Sequence, residues 1–283
     1  MMILKAREGF TVTRTDAGIV YSSDDDLTPT ADILSKLSKY KHFPKVLGRN
    51  PHVLVVEDVG NGEEVTDSVK FIQECARLLC ELRQEGIKHG DLTIRNIIVR
   101  NNTPIAIDFF ESNKEPSKRP ETDSYHLINA AIEISGDPSR VMRRWLAVLQ
   151  DQGFNIEDRR VLDVGAGVNQ DFIPWIESEG AIPTGIDILV EGTDAFDYDY
   201  TGSDMVLLFS IWPYLVQQRG EPEALQLLER IKSNSNRVYF ESQLRGDGPG
   251  YAKDERYIVG PNAKKLVTVP VTGRDATRTV WRL

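Results

Sequence analysis

Apolar positions along this 283-residue chain change their period repeatedly, and the changes predict its elements. Near the N-terminus the pattern alternates. Thr11-Val12-Thr13 and Gly18-Ile19-Val20-Tyr21 flank a turn at Asp16-Ala17-Gly18, which predicts paired strands. A polar break over 23–29 is followed by a short helix expected at 30–40, carrying Ile33, Leu34 and Leu37. His52-Val53-Leu54-Val55-Val56-Glu57 is a buried-strand pattern ending at Gly60-Asn61-Gly62. A helix capped by Thr66 or Asp67 is expected next, running to residue 85. Val69, Ile72, Ala76, Leu79 and Leu82 form its apolar stripe, and Gly86 follows its end.

Beyond a polar loop, a strand at 96–99, a turn at Asn101-Asn102-Thr103 and a partner strand at 105–107 predict a second hairpin, closed by a helix over 122–134. Asp137-Pro138 then starts another helix, with the proline at its first position, which runs to about residue 152 and links the halves. From Arg160 the order becomes strand, glycine turn, helix and strand, a βαβ unit. Later strands are expected at 205–209, 237–241, 265–269 and 277–282, with a helix at 221–232.

Composition narrows the class without naming a chemistry. Hydrophobic content of 40% with 27% charged residues is ordinary for a globular protein, and the length suffices for two modest cores. A formal charge of -9 argues against a broad nucleic-acid-binding face, so nucleic acid is not an expected partner. No apolar run approaches the roughly 20 residues that span a bilayer. Met1-Met2-Ile3-Leu4-Lys5 lacks a secretory apolar core, which points to a cytoplasmic location. Cys75 and Cys80 lie on one predicted helix, about 140° apart around its axis, and read as core residues in a reducing compartment. Without a CxxC or HExxH pattern, no structural zinc site is expected.

The densest chemistry is His89-Gly90-Asp91-Leu92-Thr93-Ile94-Arg95-Asn96, followed by Ile107-Asp108-Phe109. A carboxylate at 91 can accept a proton from an attacking hydroxyl, while an amide at 96 and a carboxylate at 108 can hold metal ions that bridge nucleotide phosphates. These residues, with helix, loop and hairpin in order around them, resemble the protein-kinase-like superfamily. The likeness is greatest to the small atypical kinases: aminoglycoside phosphotransferases and lipopolysaccharide sugar kinases, which also carry glycine after the histidine. The resemblance implies Asp91 as catalytic base, Asn96 and Asp108 as magnesium ligands, ATP as co-substrate, and Asp123 as the brace of the catalytic loop. Taken singly, such residues also stabilise turns and strand ends.

Departures from that pattern lie in the first lobe. No GxGxxG precedes its strands, where only Gly9 and Gly18 stand. At the expected strand lysine the chain reads Ile19-Val20-Tyr21-Ser22, which puts Ser22 at the lysine's place, and no helix glutamate is available to pair with one. Lys5, Arg7 and Arg95 are the candidate substitutes.

A second signature lies downstream. Val161-Leu162-Asp163-Val164-Gly165-Ala166-Gly167 opens a helix, and Asp187 ends the next strand, where it could accept ribose hydroxyls. This form resembles class I S-adenosylmethionine-dependent methyltransferases, although Asn169 replaces the usual last glycine. The resemblance implies that Asp163, Gly165 and Gly167 surround the methionine part of the cofactor, that Asp187 binds its ribose, and that Asp194 lies near its adenine. It also implies a pocket near Ser210, Ile211 and Trp212. Glu241-Ser242-Gln243 could contact an acceptor or stand in solvent. Only 16 residues separate Asp187 from Asp204, so one βα unit is expected to be shortened or missing.

The expected architecture is therefore an α+β kinase-like two-lobed domain at 1–136, with a small lobe at about 1–58 and a large lobe at about 59–136. A linking helix at 137–154 leads to an α/β Rossmann-like methyltransferase domain with a shortened sheet at 155–283. The leading functional expectation is a bifunctional transferase using ATP, Mg2+ and S-adenosylmethionine on a small-molecule or glycan acceptor, such as a lipid-linked sugar. The alternatives are a methyltransferase with a degenerate kinase-like scaffold, and a non-catalytic regulatory or interaction protein retaining both folds.

Overall fold

Alternation near the N-terminus yields an antiparallel sheet. In the computed structural model, which describes residues 2–112, 123–135, 140–168, 170, 172–190, 192–243, 255–270 and 277–283, the chain is mixed α/β and divides into two units, Met1–Asp137 and Pro138–Leu283. The first begins with β1 (Met2–Arg7), β2 (Phe10–Thr15), β3 (Gly18–Ser23), α1 (Thr28–Leu37), β4 (Val46–Asn50) and β5 (Val53–Val56). The strands lie in the order β1-β2-β3-β5-β4, each antiparallel to its neighbours. Gly18 is required where β3 starts. Its φ is +130°, and a Cβ there would stand 2.3 Å from the carbonyl oxygen of Val56.

Helix α2 (Ser68–Gln84) starts at Asp67, whose side chain accepts the Lys70 amide at 3.0 Å. Thr66 turns instead to the Asn102 side chain. Phe71, Ile72, Cys75, Ala76, Leu78, Leu79 and Leu82 face the core. Val69, expected in that stripe, is 49% exposed because the buried face is centred on Phe71, Cys75 and Leu78. Glu74 is buried on the same helix, held by His42 at 2.8 Å and Lys41 at 2.6 Å. A hairpin of β6 (Ile97–Arg100) and β7 (Thr103–Ala106) turns through Asn101 and Asn102, both at positive φ, as a two-residue hairpin turn needs. Helix α3 (Asp123–Ser135) packs on α2; Thr122, its expected first residue, lies outside the described residues.

The second unit opens with α4 (Arg140–Asp151), β8 (Arg160–Val164), α5 (Ile173–Ser178) and β9 (Ile182–Ile186). It continues with β10 (Met205–Leu208), α6 (Trp212–Arg219), α7 (Glu221–Asn234), β11 (Arg237–Gln243), α8 (Glu255–Val259), β12 (Lys264–Pro270) and β13 (Thr277–Arg282). The sheet order is β12-β13-β11-β10-β8-β9. Strands β9, β8, β10 and β11 are parallel, and β13 is antiparallel to both β11 and β12. Every residue of β10 is buried, as suits a parallel strand covered on both faces. Its core joins Leu162, Val206, Val238 and Phe240 to Trp212, Leu227 and Ile231 of the covering helices. No strand occurs between β9 and β10 among the described residues. No helix among the described residues is long and apolar enough to cross a membrane.

The helix read as a link belongs to this second unit. Trp145 is fully buried, with its ring 6.3 Å from that of Phe172, and α4 packs along β12. At its C-terminus Asp151 accepts from the Tyr239 hydroxyl at 3.0 Å and pairs with Lys264 at 2.7 Å and Arg282 at 3.1 Å. Burial alone would raise the Asp151 carboxyl, but these partners hold it below the usual carboxylate range. Its proposed cap, Asp137-Pro138, lies outside the described residues.

A fragment spanning 138–283 should therefore melt cooperatively by circular dichroism. One beginning at residue 155 loses Trp145 and Asp151, leaves Tyr239 and Arg282 without their partner, and should show no cooperative transition. Equal melting of the two fragments would contradict this assignment of α4.

Candidate functional sites

In the first unit the loop at 89–96 is fastened from α3. The two carboxylate oxygens of Asp123 accept the backbone amides of His89 at 2.7 Å and Gly90 at 2.8 Å. The His89 ring is buried and meets the Ile107 carbonyl through Nε2 at 2.9 Å, while its Nδ1 lies 3.3 Å from the Asp91 amide. Burial lowers the His89 pKa, outweighing Asp123 and the neighbouring carboxylates. A neutral ring with its proton on Nε2 satisfies both contacts, donating to Ile107 and accepting from Asp91.

This scaffold sets the three residues singled out by the sequence. The Asn96 side-chain amide donates to the Asp91 carbonyl and to the Asp91 carboxylate, both at 2.8 Å, which fixes the carboxylate's direction. Asp108 follows β7 with φ 65° and ψ 65°, a left-handed conformation uncommon for a residue with a side chain. Phe109 beside it is buried, with its ring 4.4 Å from that of His89. Asp91, Asn96 and Asp108 line one cavity of about 460 Å³, within the range of small-ligand sites.

The five-stranded sheet forms the opposite wall, through Lys5, Phe10, Val12, Arg14, Ile19 and Tyr21. Strand alternation decides which side chains these are. Tyr21, not Ser22, faces the cavity, so the side chain read at the lysine's place points away from it. Burial, with the nearby Asp108 charge, pushes the Tyr21 hydroxyl up to about 12. Its ring and that of Phe10 pack on Phe110 at 5.3 and 5.0 Å. Of the substitute cations, Lys5 Nζ lies 3.9 Å from an Asp108 oxygen and Arg95 lines the cavity, whereas Arg7 lies over the Phe10 ring at 4.9 Å and is not among the lining residues.

Arg14 was missed in the sequence. It reaches Asp58 at 2.7 Å and Asn61 at 2.6 Å, joining β2 to the segment after β5 that also lines the cavity. Its signal was present in the alternation Phe10, Val12, Arg14, which puts a charge on an otherwise apolar face.

In the second unit the glycine turn and Asp187 are hydrogen-bonded together. The amides of Gly165 and Ala166 donate to the Ile186 carbonyl at 2.8 and 3.2 Å. Asp187, immediately after β9, accepts from the Gly167 amide at 3.1 Å and the Leu189 amide at 2.8 Å. Gly165 and Gly167 have φ of 76° and 71°. A Cβ at Gly165 would stand 2.5 Å from Ile211 Cδ1, whereas one at Gly167 would meet open space. Asp163 is buried in β8, opposite Leu207 and Gly185. Asn169 lies outside the described residues.

Other candidates make contacts within their own unit. Asp194 accepts from the Phe196 amide at 2.9 Å, Gln218 at 2.9 Å and Arg219 at 2.7 Å, fastening its segment to α6. Trp212, read as a pocket residue, is buried in the core with its ring 5.6 Å from that of Phe240. The Ser242 hydroxyl is buried against Glu255 and the Thr279 carbonyl. Glu241, by contrast, gathers a charged cluster where β10 and β11 end. One of its oxygens takes Arg144 at 3.2 Å, Arg278 at 3.1 Å and the Ser210 hydroxyl at 2.8 Å. Its other oxygen is buried without a hydrogen-bond partner among the described residues.

No family model matches the chain, and no curated protein matches it.

Replacing Asp123 by Ala strands two backbone donors, each worth about 1–3 kcal/mol if left unpaired. The amides of His89 and Gly90 should then exchange hydrogen much faster, and unchanged protection would contradict the clamp. In the second unit, Gly165→Ala should lower stability by about 2–3 kcal/mol, from left-handed backbone plus the clash with Ile211. Gly167→Ala should cost only about 1 kcal/mol, the backbone part alone. Denaturant unfolding that ranks the pair the other way would refute this reading of the turn.

Proposed function

We propose that the chain joins two transferase units: an atypical kinase-type phosphotransferase in residues 1–137 and a class I S-adenosylmethionine-dependent methyltransferase in residues 138–283. The observation that carries this is the convergence of Asp91, Asn96 and Asp108 on one cavity roofed by an antiparallel sheet. Asp91, aimed by the Asn96 amide, accepts the proton of an attacking hydroxyl as that oxygen bonds to the terminal phosphorus of ATP, and ADP leaves.

The site fits a magnesium ion. With its nitrogen donating to Asp91, Asn96 has its amide oxygen left as a hard donor, and Asp108 adds a carboxylate. A magnesium ion commonly takes one or two protein oxygens, filling its shell with water and phosphate. It would neutralise charge on the phosphates. The strand order β1-β2-β3-β5-β4 before the loop supports the same reading.

In the second unit, a glycine turn and an acidic strand end meet at the carboxyl edge of parallel strands, where open α/β sheets bind ligands. The open space at Gly167 suits close approach by S-adenosylmethionine, with Asp187 directed toward its ribose. An antiparallel strand beside the parallel set is consistent with a class I methyltransferase sheet, and among the described residues no strand lies beyond β9. The bound cofactor supplies an activated methyl group; this unit has to align an acceptor and exclude water. A glycan or other small hydroxylated acceptor suits both units.

The absence of a lysine from the cavity face of β3 favours a second reading, in which only the methyltransferase acts and the first unit is a scaffold. Calorimetric titrations of the full chain separate these cases. The leading reading expects binding of ATP with magnesium and, independently, of S-adenosylmethionine, with Asp108→Ala abolishing the magnesium-dependent part of the first. Binding of S-adenosylmethionine alone supports the scaffold reading, and binding of neither leaves a regulatory or interaction protein.

A further inference from the structure

A polyphosphate entering the first unit's cavity meets the carboxylates of Asp91 and Asp108 and requires cationic partners. Strand β3 offers only Ile19 and Tyr21 to that space. Among the described residues, three that line the cavity carry a positive charge: Lys5, Arg14 and Arg95. Arg14 is committed to Asp58, Asn61 and the Gly60 carbonyl. Arg95 belongs to the same loop as Asp91, on the floor of the cavity. Lys5 alone projects from the sheet wall beside Asp108, with its ammonium 3.9 Å from a carboxylate oxygen. At 56% exposure that ion pair is weak and readily exchanged for a stronger anion.

We propose that Lys5, on the outer strand β1, is the residue that grips the nucleotide's polyphosphate, a duty transferred from the cavity face of β3 to the edge of the sheet. The inference rests on the kinase-type reading of this unit. Lys5 forms and breaks no covalent bond. It donates hydrogen bonds to phosphate oxygens, lies against Asp108 before the nucleotide arrives, and keeps the cavity's charge closer to neutral until then. β1 is built for such a residue: it pairs on one side only, and all its side chains are exposed. A long cation there can swing toward the ligand without disturbing the core.

Calorimetry on the full chain tests this with MgATP and adenosine as probes. Lys5→Met should weaken MgATP binding about tenfold or more, the value of a charge-assisted hydrogen bond, while adenosine affinity stays within about twofold. Lys5→Arg should restore most of the loss, and unaltered melting of each variant establishes that the fold is kept. Unchanged MgATP affinity in Lys5→Met, or an equal loss for adenosine, overturns the assignment of Lys5 while leaving the kinase-type reading standing. A phosphate-selective loss in Arg95→Ala but not in Lys5→Met would overturn it in favour of the loop cation. If the unaltered chain binds no MgATP, the kinase-type reading fails and this assignment fails with it.

Discussion

The first unit depends on one two-point contact, the Asp123 carboxylate holding the amides of His89 and Gly90. Everything chemical in that unit hangs from it in sequence. With the two amides fixed, the His89 ring lies between the Asp91 amide and the Ile107 carbonyl and so ties the loop to the residue preceding Asp108. Asn96 then sets the Asp91 carboxylate. Charge-assisted bonds from backbone donors are strong, and here they originate on a helix whose other face is packed on α2, so the loop inherits the rigidity of a helix pair. A neutral, buried His89 is part of the same economy. Protonation would place a donor at Nδ1, opposite the Asp91 amide, and break the link it now makes.

Both units position their candidate residues at strand ends, where the backbone leaves regular geometry. Asp108 at φ 65°, Gly165 at 76°, Gly167 at 71° and Ser210 at 61° are all left-handed. For the glycines this is without steric penalty. For Asp108 and Ser210 it is strain that surrounding contacts must hold. Phe109 against His89 secures the first, and the bonds from the Ser210 hydroxyl to Glu241 and from Arg278 to that hydroxyl secure the second. Left-handed backbone also occurs in turns, at Asn101, Asn102, Phe154, Asp158 and Gln170, but at Asp108 and Ser210 it stands just beyond a strand end.

Local patterns made part of this readable. The spacing of Asp91, Asn96 and Asp108 is set by loop and hairpin lengths, and the meeting of the glycine turn with Asp187 by a single βαβ unit. What sequence could not supply was long-range. β1 gives no hydrophobic alternation, since its side chains are all exposed and only its ladder to β2 makes it a strand. Ser22 and Tyr21 differ by one position, which on a strand is the difference between the two faces. Val69 fits a helical stripe but falls to the side of the buried face. The helix at 140–151 reads as a link because its partners Tyr239, Lys264 and Arg282 lie about a hundred residues away, beyond any local window. The partners of Asp194, Gln218 and Arg219, were out of reach for a similar reason, being on a later helix.

The Arg144–Glu241–Arg278 cluster shows how the second unit handles charge at the carboxyl edge of its sheet. A buried ion pair is weak support for stability, because desolvation offsets much of the attraction. Its more direct effect here is positional. Two guanidinium groups and a hydroxyl converge on a single Glu241 oxygen, drawing α4, β10, β11 and β13 to one point. Arg144 also lies over the rings of Phe172 and Phe209, so its charge is held between aromatic faces. Ser210 is thereby fixed one residue before Ile211, whose side chain fills the space that a Cβ at Gly165 would need. Helix α4, read as a connector, thus reaches through Arg144 to the residues that shape the glycine turn. The edge of this sheet is built from both ends of the unit's sequence, which explains why a fragment that omits α4 would lose more than a covering helix.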